Sequence, residues 1–409
     1  MTNVLGFWIY GYAAFQICRI LFPRLHWVMP GLFALFLLNP FLLDFFSLCR
    51  GYGLSTSLIL LSCLFVLQGF SRQSSNAIWR ALIASMLAAY ANFTALVFWA
   101  AVSLLVLIYF LQFEREYRNK RRALFFLGVA SAIYLSLIYT PLHKMQSTNQ
   151  FKYWQSDGFF NETIISLVDN SMYGSKMIDV PFEYLGMAAI LFFFSLGAYV
   201  FYFWGRYGRA SVLQSPGFVA FGLLGLTSLI NIMQTVLLKT PNLTNRTALL
   251  LYPLFVLCVG AALQIVTNMR PRTGHLLSFL IGVLAVYHLA RSYQPRRVRE
   301  WWYDENTFEV LDYVKNQQQQ GAATPLAVDW HFHRSFDFYV KTGHASHIRL
   351  APSQPQLDST NSTTYAYIFD SEYEKFKNRY DVVLKFDGGA RMLLRIKPEH
   401  EAPLAAPSM

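Results

Sequence analysis

Apolar residues in this chain gather in long unbroken runs. The runs cover 4–22, 27–38, 54–70, 78–90, 94–112, 123–139, 184–204, 218–238, 249–266 and 276–290. A helix needs about 20 apolar residues to cross the hydrocarbon core of a bilayer, so the pattern predicts about ten membrane spans. The second and fourth runs are the shortest. Near Arg291 the pattern changes. Phe308, Leu311 and Val314 form one stripe of an amphipathic helix over 306–316. Strands are expected at 325–329 and 365–369, and short helices at 335–341 and 372–378. A hairpin is expected from 382–386 and 392–396 around Asp387-Gly388-Gly389. Strands alternating with helices predict a small α/β domain. The expected architecture is an all-α polytopic bundle over 1–291 and a soluble α/β domain over 292–409. Gln317–Gln320 reads as a polar linker, and no internal repeat is visible.

Composition agrees with lipid as the main solvent. Of 409 residues 55% are hydrophobic and 14% charged, against roughly 25% charged in soluble domains. The formal charge of +11 would suggest nucleic acid in a soluble protein. Here the basic residues sit in short clusters between apolar runs, as loop charge does, and no nucleic-acid partner is expected. Cys18, Cys49, Cys63 and Cys258 have neither disulfide-framework nor metal-ligand spacing.

Alternate crossing lets the loops be tested against the positive-inside rule. One side collects Arg19, Arg24, Arg72, Arg80, the 115–122 cluster, Arg206, Arg209, Arg270 and Arg272. The other has Arg50, Lys144, Lys152, Lys176, Lys239 and Arg246, spread over longer loops. The first side is therefore assigned to the cytoplasm. The loops 39–53 and 142–183 and everything after Arg291 then lie outside. The cluster Arg291, Arg296, Arg297 and Arg299 runs against the rule, which binds large translocated domains weakly. The first run starts at Val4 with no basic leader or cleavage site, so no cleavable signal peptide is expected. The assignment also places the N-terminus outside, which an additional leading helix would repair.

The most informative stretch is Asn39 to Leu54. Pro40 ends the preceding helix, and Asp44 and Arg50 follow at the outer surface. Interfacial anchoring accounts for them: arginine snorkels and the aromatics form a belt. Contact with a phosphate or sugar accounts for them equally, since the guanidinium fork matches phosphate oxygens. Arg50-Gly51-Tyr52 resembles the Arg-x-Tyr that follows a polar stretch in polytopic glycosyltransferases of the GT-C superfamily, in particular the dolichyl-phosphate-mannose and aminoarabinose transferase-like group (family 39). Ala91-Asn92-Phe93-Thr94 and Asn245-Arg246-Thr247 are similar to segments of the same proteins. The resemblance is architectural over about residues 1–300 and its motifs are short.

The resemblance implies transfer of a sugar from a polyprenyl-phosphate donor to a lipid or glycan acceptor on the outer face. An acidic residue would act as general base on the acceptor hydroxyl, and basic groups would stabilise the leaving phosphate. In the family the catalytic carboxylate lies in the first outer loop, upstream of where this sequence starts. The resemblance therefore implies a shortened member lacking that base, with Asp44 the nearest remaining outer carboxylate. Arg50, Tyr52, Lys144 and Arg246 would hold the donor phosphate, with Lys152 and Asp157 as further outer-loop candidates. A divalent cation on that phosphate has no ligand cluster to support it. Asp329, His331 and His333 are close in sequence, but a strand end would splay them, and no metal site is expected. Asp304, after Trp301-Trp302-Tyr303, is read as marking where the soluble domain meets the membrane. Five glycan-acceptor tripeptides, starting at Asn92, Asn161, Asn242, Asn245 and Asn361, carry little weight.

Two other readings compete. A transporter or flippase of a lipid-linked substrate would show repeated halves and charges at mid-depth, and neither is evident. A non-catalytic membrane scaffold would use its tail to bind a partner. The compact tail and the lack of a eukaryotic retention signal point to a bacterial inner membrane with the C-terminus extracytoplasmic.

Overall fold

The computed structural model describes residues 2–23, 27–48, 50–148, 157–173, 180–294, 297–318, 323–354, 357, 363–386 and 390–400. The chain divides into two compact units, Met1–Tyr293 and Gln294–Met409.

The first unit is a helical bundle. Among the described residues, eight helices are long and apolar enough to cross a membrane. They are α1 (Thr2–Leu21), α4 (Gly51–Arg72), α6 (Leu96–Phe113), α7 (Tyr117–Ser147), α9 (Phe182–Tyr207), α11 (Pro216–Leu238), α12 (Leu251–Met269) and α13 (Pro271–Ser292). Two short helices, α2 (Met29–Leu37) and α3 (Pro40–Ser47), are bent by 54° at their junction and make a ninth crossing if they count as one broken span. Helix α5 (Ser75–Ala91) has 17 residues and packs between α4 and α6.

Because lipid tails are as apolar as leucine, small side chains and buried hydroxyls hold such helices together. Helix α4 uses both. Its buried Ser55 and Ser62 hydroxyls donate to Ala88 O (2.9 Å) and Ala81 O (2.8 Å) of α5. Ser57 donates to Gly6 O of α1 (2.7 Å). Helix α2 is wedged by the same means. The Ser278 hydroxyl of α13 donates to Val28 O (2.6 Å), the Tyr252 hydroxyl of α12 donates to Leu35 O, and Gly31 lies directly on Ser278.

The short second run thus forms the first half of a helix pair broken at Asn39-Pro40. Pro40 brings no N–H, and the Asn39 side chain accepts the Leu42 N–H (3.1 Å), capping α3. The stretch expected as a loop over 39–53 is therefore helical through Ser47 and again from Gly51. The loop expected over 142–183 is also partly helical. Helix α7 continues to Ser147, and Phe160–Ile165 and α8 (Ser166–Met172) form a second helical piece.

The second unit is a five-stranded sheet of order β2-β1-β3-β5-β4. Strands β1 (Thr324–Val328), β2 (Ile348–Leu350) and β3 (Tyr365–Phe369) are parallel, while β5 (Arg391–Ile396) pairs antiparallel with β3 and with β4 (Tyr380–Phe386). Period-two alternation sorts the side chains. Tyr365 and Tyr367 pack with Leu311 and Val314 of α14 (Thr307–Gln317) and Phe332 and Phe336 of α15 (Trp330–Lys341). Ala366 and Ile368 pack on the other face with Phe376, Tyr380 and Leu394. Three expectations change. Strand β2, only three residues long, has no run to announce it. Helix α15 starts at Trp330, five residues before the expected 335. The helix expected over 372–378 is reduced to α16 (Tyr373–Phe376) after a 3₁₀ turn. The hairpin turn at 387–389 lies outside the described residues.

Candidate functional site

Side-chain bonds gather Asp44, the 157–173 segment and the Asn245 turn at one end of the bundle. Helix α3 is short and held at its exit: the Asn3 amide of α1 donates to Phe45 O (3.3 Å) and to Leu48 O. Half-buried Asp44 faces the end of α8, where the Tyr173 hydroxyl donates to its Oδ1 (3.1 Å). Tyr173 is buried and adopts the left-handed conformation, φ 57°. A bulky residue there costs about 1 kcal/mol. Glycine would cap α8 more cheaply, but it would leave Asp44 without this donor.

Three further ties fix α8. The buried Asn170 amide donates to Asn245 Oδ1 (3.0 Å), and the Asn245 N–H donates to the Ser166 hydroxyl (3.0 Å). His288 of α13 meets Ser171 O through Nε2 (2.8 Å). A carbonyl only accepts, so Nε2 carries the proton and Nδ1 is left as an acceptor toward Ser292. Upstream, the Glu162 carboxylate accepts from the Asn242 amide (2.8 Å) and backbone N–H (3.3 Å) and from the Asp157 N–H (3.0 Å).

Arg246 follows Asn245, which has φ 48°, in a turn whose start is fixed by a capping box between Thr244 and Thr247. The side-chain chain Asp44–Tyr173 and Asn170–Asn245 thus links the α3 carboxylate to the turn that carries Arg246. The 157–173 segment is the bridge.

Arg50 is the exposed N-cap of α4, two residues from Leu48, whose carbonyl its N–H meets (2.8 Å). Tyr52 is half-buried with its ring against Phe45, 5.1 Å between centroids. Lys144 stands apart. It is exposed in the last turn of α7, and among the described residues its ammonium makes no hydrogen bond or ion pair. Asp157 is exposed, and Lys152 lies outside the described residues. Asn92 closes its turn by accepting the Thr94 N–H (3.2 Å). Sequence reasoning missed Tyr173, Asn170 and His288. The available signal was the run Phe159–Met172, fourteen residues after Gly158 without glycine or proline.

In the second unit Asp329 is the N-cap of α15 rather than a strand end. Its Oδ1 takes the His331 N–H (3.0 Å) and His331 Nδ1 (2.6 Å). His333 turns away to Ala351 O (3.0 Å). Among the described residues no group of three metal-ligating side chains occurs. Asp304, whose carboxyl burial raises above the ordinary range despite a Ser335 hydrogen bond and the Arg391 charge, belongs to this unit. Arg391, at the start of β5, is fully buried. Its Nη1 donates to Tyr303 O (2.6 Å) and Trp302 O (3.3 Å), and its guanidinium lies 5.1 Å from the Trp302 ring.

These features define a polytopic helical membrane protein that carries a small α/β domain. No protein-family model and no curated protein matches the chain.

Proposed function

We propose that this protein is a GT-C-like membrane glycosyltransferase, moving a sugar from a polyprenyl-phosphate donor to a lipid or glycan acceptor at the outer face of a bacterial inner membrane. One observation carries the reading: a carboxylate held by a buried phenol at the same end of the bundle as Arg50 and the Arg246 turn. In this mechanism Asp44 takes the proton of the acceptor hydroxyl as its oxygen attacks the anomeric carbon. The bond from that carbon to the phosphate oxygen breaks, and the phosphate leaves with the electron pair. Arg50 and Arg246 meet the charge that develops on the phosphate, and Tyr52 flanks the donor, while Lys144 stands apart from this group. Half-burial of Asp44 and the Tyr173 hydroxyl on its Oδ1 suit a base held at the edge of a site. The C-terminal domain shares the extracytoplasmic side in this scheme.

The test uses the purified full chain in nanodiscs with labelled polyprenyl-phosphate sugars. Asp44→Asn is expected to lower transfer by about 10²- to 10⁴-fold, as loss of a general base does. Arg246→Ala should lower it with a larger effect on donor KM. Transfer unchanged in an Asp44→Asn, Arg50→Ala double variant removes the site assignment. Passage of the lipid-linked sugar across vesicles without transfer supports the transporter reading instead.

A further inference from the structure

Parallel sheets place ligands at the carboxyl ends of their strands, and in the second unit that edge is occupied by an oriented imidazole. Asp329 follows the end of β1, and its N–H continues the ladder to Tyr367 O (3.0 Å). Phe369 ends β3 and pairs with Arg391. The Asp329 carboxylate is nearly buried and accepts from His331 Nδ1, so the proton of the neutral ring sits on Nδ1 and Nε2 is left with a free lone pair. Among the described residues nothing bonds to Nε2, and the His331 side chain keeps 35% of its exposure. The ring cannot swing freely. Tyr303 (5.7 Å) and Phe369 (5.4 Å) meet it edge to face, and Trp330 lies 3.7 Å from it between centroids. Trp330 itself is half exposed, although it sits in the first turn of a helix with a well-packed inner face.

An acceptor nitrogen fixed by a carboxylate, beside a half-exposed indole, suits one kind of ligand. The hydroxyl of a sugar can donate to Nε2. The C–H face of the same ring carries slight positive charge and stacks on the negative face of the indole. Asp304, Glu305 and Asp370 lie in the segments next to this edge, and the buried Arg391 is engaged by two carbonyls. Glu305 also lies 3.6 Å from Arg297 and 3.9 Å from Arg391, so the cations next to this edge already face a carboxylate and carbonyls rather than an incoming anion. We propose that Trp330 and the Asp329–His331 pair form a binding site for a neutral polyhydroxylated ring of the hexopyranose class. The site stands on the second unit alone and does not depend on the transfer reaction proposed above.

The experiment is saturation-transfer NMR on the full chain in nanodiscs, with methyl α-mannopyranoside and methyl α-glucopyranoside as probes. The wild type should show transfer to the ring C–H protons of at least one. Trp330→Ala should abolish it. His331→Ala should weaken binding at least tenfold, and His331→Gln, which keeps an acceptor, should recover part of it. Amide exchange in β3 identical to wild type certifies that each variant is folded. Asp44→Asn should leave the signal intact, which separates this site from the membrane-unit site. No transfer to either sugar in the wild type overturns the proposal, as does a signal that survives Trp330→Ala. Quenching of Trp330 fluorescence by brominated lipid, with no sugar signal, would assign the indole to the bilayer surface instead.

Discussion

Replacing Arg391 with methionine keeps the stem of the side chain and removes the guanidinium. Two carbonyls then lose a donor in a place water does not reach, although the Trp302 carbonyl keeps the Glu305 N–H (3.4 Å). The Tyr303 carbonyl, bonded at 2.6 Å, forfeits a charge-assisted bond, and leaving such an acceptor buried and unsatisfied costs about 1–3 kcal/mol. The Trp302 carbonyl at 3.3 Å loses a weaker one, roughly 0.5–1 kcal/mol. The cation–π contact with Trp302 adds about 1 kcal/mol. Relief from burying a charge offsets part of this, which leaves a net loss of about 3 kcal/mol. At about 1.4 kcal/mol per tenfold, that is on the order of a 10²-fold loss of amide protection. Hydrogen exchange on the full chain reads it in peptides covering β3 and β5, with the membrane helices as internal reference. Arg391→Lys keeps a charge that reaches only one carbonyl, and should lose about tenfold. Protection in Arg391→Met within about threefold of wild type would refute the assignment of this arginine as the clamp of the Trp302–Tyr303 turn.

Two further outcomes follow from local geometry. A Cβ on Gly31 would lie 1.9 Å from Ser278 O, so Gly31→Ala must push α2 off α13. Its thermal unfolding in detergent should fall by several degrees, while Gly128→Ala, which meets nothing within 4 Å, should melt like wild type. Burial raises the Asp304 carboxyl above its ordinary value of 3.8. A raised carboxyl favours the folded state when protonated, so its ionisation weakens the second unit progressively as pH rises through the folded pKa. Asp304→Asn should therefore be more protected from exchange than wild type at pH 7, and the advantage should vanish as the pH falls below about 4.

The ten apolar runs could be read because lipid demands continuous hydrophobicity, and each coincides with a helix of the bundle. What the sequence concealed was local. The junction at Asn39-Pro40 reads as the end of a helix, yet Asn39 restarts one at once, because a capping side chain and a proline at the first turn also make a good beginning. Asp329 reads as a strand terminus, but the same residue type is a preferred N-cap, and α15 starts there. Asp44, Arg50 and Arg246 were candidates on charge and position. Tyr173 was not, since a tyrosine near a loop looks like interfacial packing until its partner 129 positions away is known. Arg391 stands one residue before the expected strand 392–396, where an arginine usually marks a wet turn.

The elbow between α2 and α3 shortens the reach of the pair. Rods of nine and eight residues are about 13.5 and 12 Å long. Inclined at 54° to one another, they reach roughly 3 Å less far than a straight rod of the same residues. Since the Asn39 side chain and the Tyr252 hydroxyl already occupy main-chain groups beside the break, those groups are satisfied without water, and the pair can stay bent inside an apolar bundle.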